Sequence, residues 1–358
     1  MINVIIGTKA ELIKMSPVMR ELQKRKVEYN YIDTSQHSQT TSKFRKDFQV
    51  KEPDAQIGGE KNITTLMQGA GWAVKTAARL FDLKVLKEKK GLSLVIGDTA
   101  TTFLGAYCSK AQGLKVGHIE AGLRSFNYLH PFPEELIRLW VSKVSDYMFA
   151  PYAWAFNNLE KYPGKRFNTR YNTILDTIRY SLKKNRKPKG LPKKYCMITT
   201  HRFETIFNRK RLEKILGFVE QAAEQVPAVF VMHEPTRKRL IKYKLLSRVE
   251  KNDNISIAPL MHYFEWIQAE KNAEFMMIDG GSIQEESYYI NTPCCLLRNA
   301  TERREGLGEN VLISGLDGKK ISGFLENYKS LKRKPIKAKF SPSSFIVGKI
   351  LEMEKEWS

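Results

Sequence analysis

The sequence, 358 residues long, is poor in cysteine and acidic side chains and has no long apolar run. Its four cysteines are Cys108, Cys196, Cys294 and Cys295, and none has zinc-finger spacing. Cys294 and Cys295 lie in an apolar, strand-like run, so all four read as small buried hydrophobes in a reducing compartment. No uninterrupted apolar stretch approaches the ~20 residues that span a bilayer. Met1 leads straight into the strand-like Ile2–Ile6 without a signal-peptide pattern, so the expectation is a cytoplasmic protein without a membrane partner. Asp and Glu number 38 against 60 Lys and Arg, a net charge of +22. Such an excess suits nucleic acid or an anionic surface. The runs at 84–90, 183–194, 237–244 and 329–339 hold a single aromatic, Tyr243, and so lack the interleaved stacking aromatics that a single-strand binder needs. The charge therefore reads as a solvated lysine-rich surface whose field can attract an anion.

What is present is concentrated between residues 91 and 138. Leu92–Ile96 is a short apolar run ending at Gly97-Asp98, the pattern of a buried parallel strand that stops at a turn. Thr99, Thr101 and Thr102 then open a helix with hydroxyls able to cap it. Residues 116–120 read as a second buried strand ending on the carboxylate of Glu120. Pro131 and Pro133 force an extended approach to a helix that begins at Glu134 and Glu135. Strand ends of an open α/β sheet border the ligand crevice, so Asp98, Glu120 and Glu134 can converge there with Arg124 and Arg138 nearby. Each acidic residue alone would be read as a helix cap or a dipole partner. Together, with a Glu directly after a buried strand, they read as a site.

The strings GDTATT, HIEAGLR and PFPEE resemble the UDP-N-acetylglucosamine 2-epimerases. The resemblance extends over residues 2–320. GTKAELIKMSP is similar to the family's GTRPEAIKMAP, with Lys9 in place of Arg, and Ser35-Gln36-His37 is similar to its AQH turn. Residues 171–176 resemble GNTVID, with Tyr171 in place of Gly, Thr199 to Arg202 resemble T-x-H-R, and His233 with residues 236–239 resembles H-P-R-T-R-K-R. Asp279-Gly280-Gly281-Ser282 followed by residues 283–286 resembles DSGGIQEE, and Thr301-Glu302-Arg303 resembles part of TTERPE.

The family implies an α/β protein of two Rossmann-like domains facing a cleft, the GT-B-like glycosyltransferase and epimerase fold. The β-α alternation and the lysine- and proline-rich stretch at 183–194 place an N-terminal domain at 1–182, a linker at 183–194, and a second domain at 195–342, which the resemblance implies binds UDP. A final helix at 343–358 is expected to pack back on the first domain. The resemblance implies a homodimeric enzyme of polysaccharide biosynthesis that interconverts UDP-N-acetylglucosamine and UDP-N-acetylmannosamine. It implies Asp98, Glu120, Glu134 and His201 as catalytic residues. For the nucleotide sugar it implies Lys9, Lys14, Arg138, His233, Gly280, Gly281, Ser282, Glu286 and Arg303, with Glu286 on the ribose. A Gly-rich turn into a helix presents free N–H groups to phosphate, which independently favours residues 280–282.

The C2 hydrogen of the sugar has no adjacent carbonyl to acidify it. Elimination of UDP as that proton leaves, followed by re-addition, makes the inversion feasible without oxidation, so neither cofactor nor metal is expected. Three alternatives remain. A hydrolysing epimerase would release free N-acetylmannosamine and UDP, and Ile137-Arg138 leans that way. A GT-B glycosyltransferase shares the fold but does not need this carboxylate set. A nucleic-acid-binding protein rests on charge alone.

Overall fold

The strand segments form where short runs of mostly large side chains can be covered on both faces. Ile2–Ile6, Tyr29–Asp33 and Leu92–Ile96 are buried at every position, as the inner strands of parallel sheets are. The computed structural model describes residues 1–35, 44–58, 66–86, 90–128, 131–333, 336 and 339–358. Gln36 and His37 lie outside the described residues.

Two units are present, Met1–Thr177 with Lys339–Ser358, and Ile178–Ala338. In the first, β1 (Ile2–Ile6), α1 (Lys9–Lys24), β2 (Tyr29–Asp33) and β3 (Ala55–Gln56) come first. Then follow α2 (Leu66–Leu80), α3 (Leu83–Leu86), β4 (Leu92–Ile96), α4 (Ala100–Ala111) and β5 (Lys115–Ile119). The rest are α5 (Glu134–Val144), β6 (Tyr147–Ala150), α6 (Ala153–Asn157), β7 (Lys165–Asn168) and α7 (Ile174–Lys184), whose C-terminal part belongs to the second unit. Among the described residues its seven strands are parallel, in the order β3-β2-β1-β4-β5-β6-β7.

The second unit contains β8 (Cys196–Thr199), α8 (Phe203–Ile206), α9 (Arg209–Gln225), β9 (Ala228–Val231), α10 (Glu234–Lys242) and α11 (Leu246–Glu250). It continues with β10 (Ile255–Ala258), α12 (Tyr263–Asn272), β11 (Met276–Ile278), α13 (Gly281–Ile290), β12 (Cys294–Leu296), β13 (Val311–Ile313) and α14 (Gly318–Asn327). Among the described residues its six parallel strands run β10-β9-β8-β11-β12-β13. In both sheets the order of connection thus reverses between the first and fourth strands, the point where a doubly wound sheet opens its crevice.

The C-terminal helices α15 (Pro342–Glu352) and α16 (Glu354–Trp357) belong to the first unit. Ser341 Oγ donates to Asp176 at 2.8 Å, and Arg25 donates to Ser344 Oγ at 2.8 Å. Glu356 receives Lys165 at 2.6 Å and the Tyr147 hydroxyl at 3.1 Å, and Trp357 is buried. All four cysteines are free and buried, and burial pushes the Cys196 thiol up to about 12. No described helix is long and apolar enough to cross a membrane.

Helix α6 covers only Ala153–Asn157, and the following residues form turns before β7. Strand β6 starts at Tyr147, because Val144 still closes α5 and Ser145 N–H donates back to Val141.

Candidate active site

Register delivers the first cluster. Ile96 pairs with Ile119, so Gly97-Asp98 and Glu120 leave neighbouring strands at one level. Gly97 turns at φ +77° and Glu120 at φ +66°, a left-handed conformation that a non-glycine residue adopts at some cost. Gly122, at φ +83°, completes the turn; a Cβ there would lie 2.1 Å from the Ala155 carbonyl oxygen.

Glu120 is 6% exposed, and its carboxylate receives the Lys14 ammonium at 2.6 and 2.7 Å. Asn172 Nδ2 adds a third bond at 2.9 Å. Lys14, expected among the substrate-binding residues, thus reaches the carboxylate of Glu120. Asp98 is paired with Arg138, whose other nitrogen donates to Glu135 at 3.0 Å. Glu135 is fully buried and also accepts from Arg124 at 2.5 Å and from the Ser125 N–H at 2.9 Å. Burial alone would raise its pKa; the Ser125 N–H and the two arginines outweigh that and hold it below the usual range. Glu134 is the half-buried first residue of α5 and shares a helix face with Arg138 four residues on. The structure therefore links Asp98 to Arg138 and Glu120 to Lys14, and starts α5 with Glu134.

The turn after β1 adds a carboxylate that the sequence reading did not single out. Glu11 accepts from the N–H groups of Gly7 and Thr8 at 2.9 and 2.8 Å, closing a capping box with Thr8. It also accepts from Thr99 Oγ1 at 2.5 Å, which ties the β1 and β4 turns together. Burial raises its pKa against these bonds. The signal was available as T-x-x-E at Thr8 and Glu11, but that pattern is more often only a cap. Gly7 is required here, since a Cβ would fall 2.1 Å from both Thr34 and Thr101 hydroxyls. Lys9 opens α1 with its ammonium 4.4 Å from the centre of the Phe44 ring.

The second unit repeats the construction with the opposite sign. Thr199 pairs with Ile278, so His201 and Asp279 emerge side by side. Buried Asp279 accepts from the backbone N–H of His201 at 3.1 Å and of Arg202 at 3.0 Å, a tie not anticipated from the sequence. The His201 imidazole stacks on that of His233, with centroids 4.5 Å apart. Gly280 is the N-cap of α13 and has no side-chain cap; a Cβ on it would come 3.2 Å from the His201 ring.

The first turn of α13, with Gly281 and Ser282, therefore presents N–H groups and the positive end of the helix dipole. Arg303 lies against this end: a Cβ on Gly281 would be 3.4 Å from its Nε. Its other arm donates to Glu285 at 2.7 Å, and Gln284 Nε2 donates to the Arg303 carbonyl at 3.3 Å, fixing the loop. Glu286 is one turn along α13, and its two oxygens accept from the Tyr263 hydroxyl and Trp266 Nε1, each at 3.0 Å. The first unit thus carries carboxylates with their counter-ions, and the second an anion cradle beside paired imidazoles.

The family model for UDP-N-acetylglucosamine 2-epimerase matches residues 20–349. A UDP-N-acetylglucosamine 2-epimerase of Methanococcus maripaludis is 36% identical over 343 residues, covering 91% of this chain and 90% of that protein. One from Methanocaldococcus jannaschii is 33% identical over 331 residues, covering 87% and 88%. Among solved structures, UDP-GlcNAc 2-epimerase from Neisseria meningitidis bound to UDP-GlcNAc superposes with a TM-score of 0.85 at 28% identity, over 98% of this chain and 99% of that one. The Methanocaldococcus jannaschii enzyme in complex with UDP-GlcNAc and UDP gives 0.82 at 29% identity, over the same 98% and 99%.

Proposed function

The chain belongs to the UDP-N-acetylglucosamine 2-epimerase family, and from that premise we propose that it inverts C2 of UDP-N-acetylglucosamine to give UDP-N-acetylmannosamine, and the reverse. The observation that carries the reading is the charge-compensated carboxylate cluster at the first switch point, with Glu120 held by Lys14 and Asp98 by Arg138. One carboxylate removes the C2 proton. The C–H electron pair becomes the C1=C2 bond, and the C1–O pair leaves with UDP. A proton is then delivered to the opposite face of C2 and UDP re-adds at C1, so atoms and electrons balance with no redox partner.

Asp98, Glu120 and Glu134 share the acid, base and cation-stabilising duties on the sugar. Positive charge and hydrogen-bond donors must meet the leaving diphosphate, and Lys9, Arg303, His201 and the N–H groups of Gly281 and Ser282 supply them. His233 backs His201, and Glu286 takes the ribose hydroxyls. Ile137 belongs to the buried cluster that also contains Ile5, Val95 and Ala106, and the relatives named UDP-N-acetylglucosamine 2-epimerase support the epimerase reading over its hydrolysing counterpart. In deuterium oxide the product should carry deuterium at C2 while remaining attached to UDP. Product with no deuterium at C2 would overturn the elimination route, and free N-acetylmannosamine as sole product would move the chain to hydrolysis.

We place the enzyme in the cytoplasm as a homodimer. Phe103, Tyr107 and Trp140 form an aromatic face on α4 and α5, with centroid spacings of 4.6 and 5.6 Å and Trp140 40% exposed. Covering such a face with a second copy removes it from water. Trp140→Glu should give a monomer in light scattering; an unchanged mass would exclude this face.

A further inference from the structure

We propose that His118 is a positioning residue of this site, tying the turn that carries Asp98 to the strand that carries Glu120, a role that rests on the reaction proposed above. His118 is fully buried on β5, two residues before Glu120. Its Nε2 lies 2.8 Å from the carbonyl oxygen of Gly97, the residue before Asp98. A carbonyl only accepts, so Nε2 carries the proton and donates. The Gly97 N–H in turn donates to the Ile119 carbonyl at 3.1 Å. The tight turn at Gly97, with φ +77°, is therefore held on both sides by consecutive residues of β5. No aliphatic side chain at this position could supply the bond to the Gly97 carbonyl.

Nδ1 of His118 is buried without a hydrogen-bond partner among the described residues. Leaving a lone pair there costs less than burying an N–H, and far less than burying a charge. Burial accordingly lowers the pKa of the ring; the Gly97 carbonyl, Glu120 and Asp98 oppose this, and Arg138 reinforces it. The ring is thus a neutral, fixed-tautomer strut between the two carboxylate-bearing turns. Its role is distinct from proton transfer: it sets where the Asp98 carboxylate begins.

Two variants and one spectrum test this. His118→Leu keeps the volume and removes the donor, and should lower kcat about 10- to 100-fold, the scale set by displacing a reacting group by about 1 Å. Affinity for UDP, measured by calorimetry, should stay within about twofold, because the anion cradle is built from other residues. His118→Gln, whose amide N–H can reach the Gly97 carbonyl, should recover most of the lost kcat. Nitrogen NMR of the wild-type ring should show Nε2 protonated and Nδ1 bare across about pH 6–8, where an ordinary imidazole titrates. The proposal is overturned if His118→Leu turns over like wild type, if His118→Gln recovers nothing, or if the ring is charged or protonated on Nδ1. Should His118→Leu fail to fold, the Gln variant and the spectrum decide. Wild-type deuterium uptake at C2, measured first, separates a failure of the reaction reading from a failure of this one.

Discussion

Replacing Lys14 by methionine isolates the best-defined contact in the carboxylate cluster. The ammonium and the Glu120 carboxylate are 8% and 4% exposed and lie 2.6 Å apart. Methionine preserves most of the stem and removes the charge. Glu120 would then keep Asn172 Nδ2 at 2.9 Å but lose its ammonium partner. Removing one member of a buried pair costs about 3–5 kcal/mol, chiefly because the remaining charge is stranded. For a unit of roughly 200 residues this corresponds to a fall in Tm of about 6–20 °C. The loss should shrink at low pH, where a protonated carboxyl leaves no charge behind. Adding Glu120→Gln to Lys14→Met should restore part of the stability, because the double variant buries no charge there. Thermal and denaturant unfolding of the two single variants and the double variant complete the cycle. If the double variant loses as much as the two single losses added together, the pair has no coupling and Glu120 does not depend on Lys14 to stay charged.

Much of this arrangement was legible in the sequence because parallel strands advertise themselves. Leu92–Ile96 is an apolar run broken only by Ser93, with a Gly at its end, and that alone positions Asp98. The same logic located His201 and Gly280, since Thr199 and Ile278 end paired strands. The missed elements lacked that signal. Lys165–Asn168 is an edge strand of mixed polarity, and Val311–Ile313 has only three residues. Glu11 was hidden by its second identity as a capping residue. The partnership of Lys14 with Glu120 joins residues 106 apart, and no local pattern encodes it. The tie from Asp279 to the N–H groups of His201 and Arg202 is invisible for the same reason: it depends on which strands become neighbours. Sequence thus announced the residues at each strand end, while their pairing came from topology.

Further outcomes follow for individual side chains. Asp98→Asn, Glu120→Gln and Glu134→Gln should each lower turnover at least ~10²-fold while UDP affinity changes little, by steady-state kinetics and calorimetry; full activity in all three would remove the carboxylate mechanism. Arg303→Ala should weaken UDP binding by ~1.5–3 kcal/mol, and unchanged affinity would place the diphosphate elsewhere. The last outcome concerns Glu270, fully buried on α12, the helix that also supplies Tyr263 and Trp266 to Glu286. One oxygen accepts from Ser287 Oγ at 2.7 Å and the other has no hydrogen-bond partner among the described residues. Burial raises its pKa well above the usual range, the charge of Glu286 adds to this, and Ser287 and Trp266 oppose it. The folded state therefore binds a proton that the unfolded chain releases near pH ~4.3. The stability gained from that proton is complete below the unfolded pKa and drains away as pH rises toward the folded one. Glu270→Gln carries no titrating group, so its stability should fall less than that of wild type between pH ~4.5 and ~8. Denaturant midpoints at several pH values should show the variant gaining on wild type as pH increases. Parallel curves would mean that Glu270 holds no proton in the folded protein.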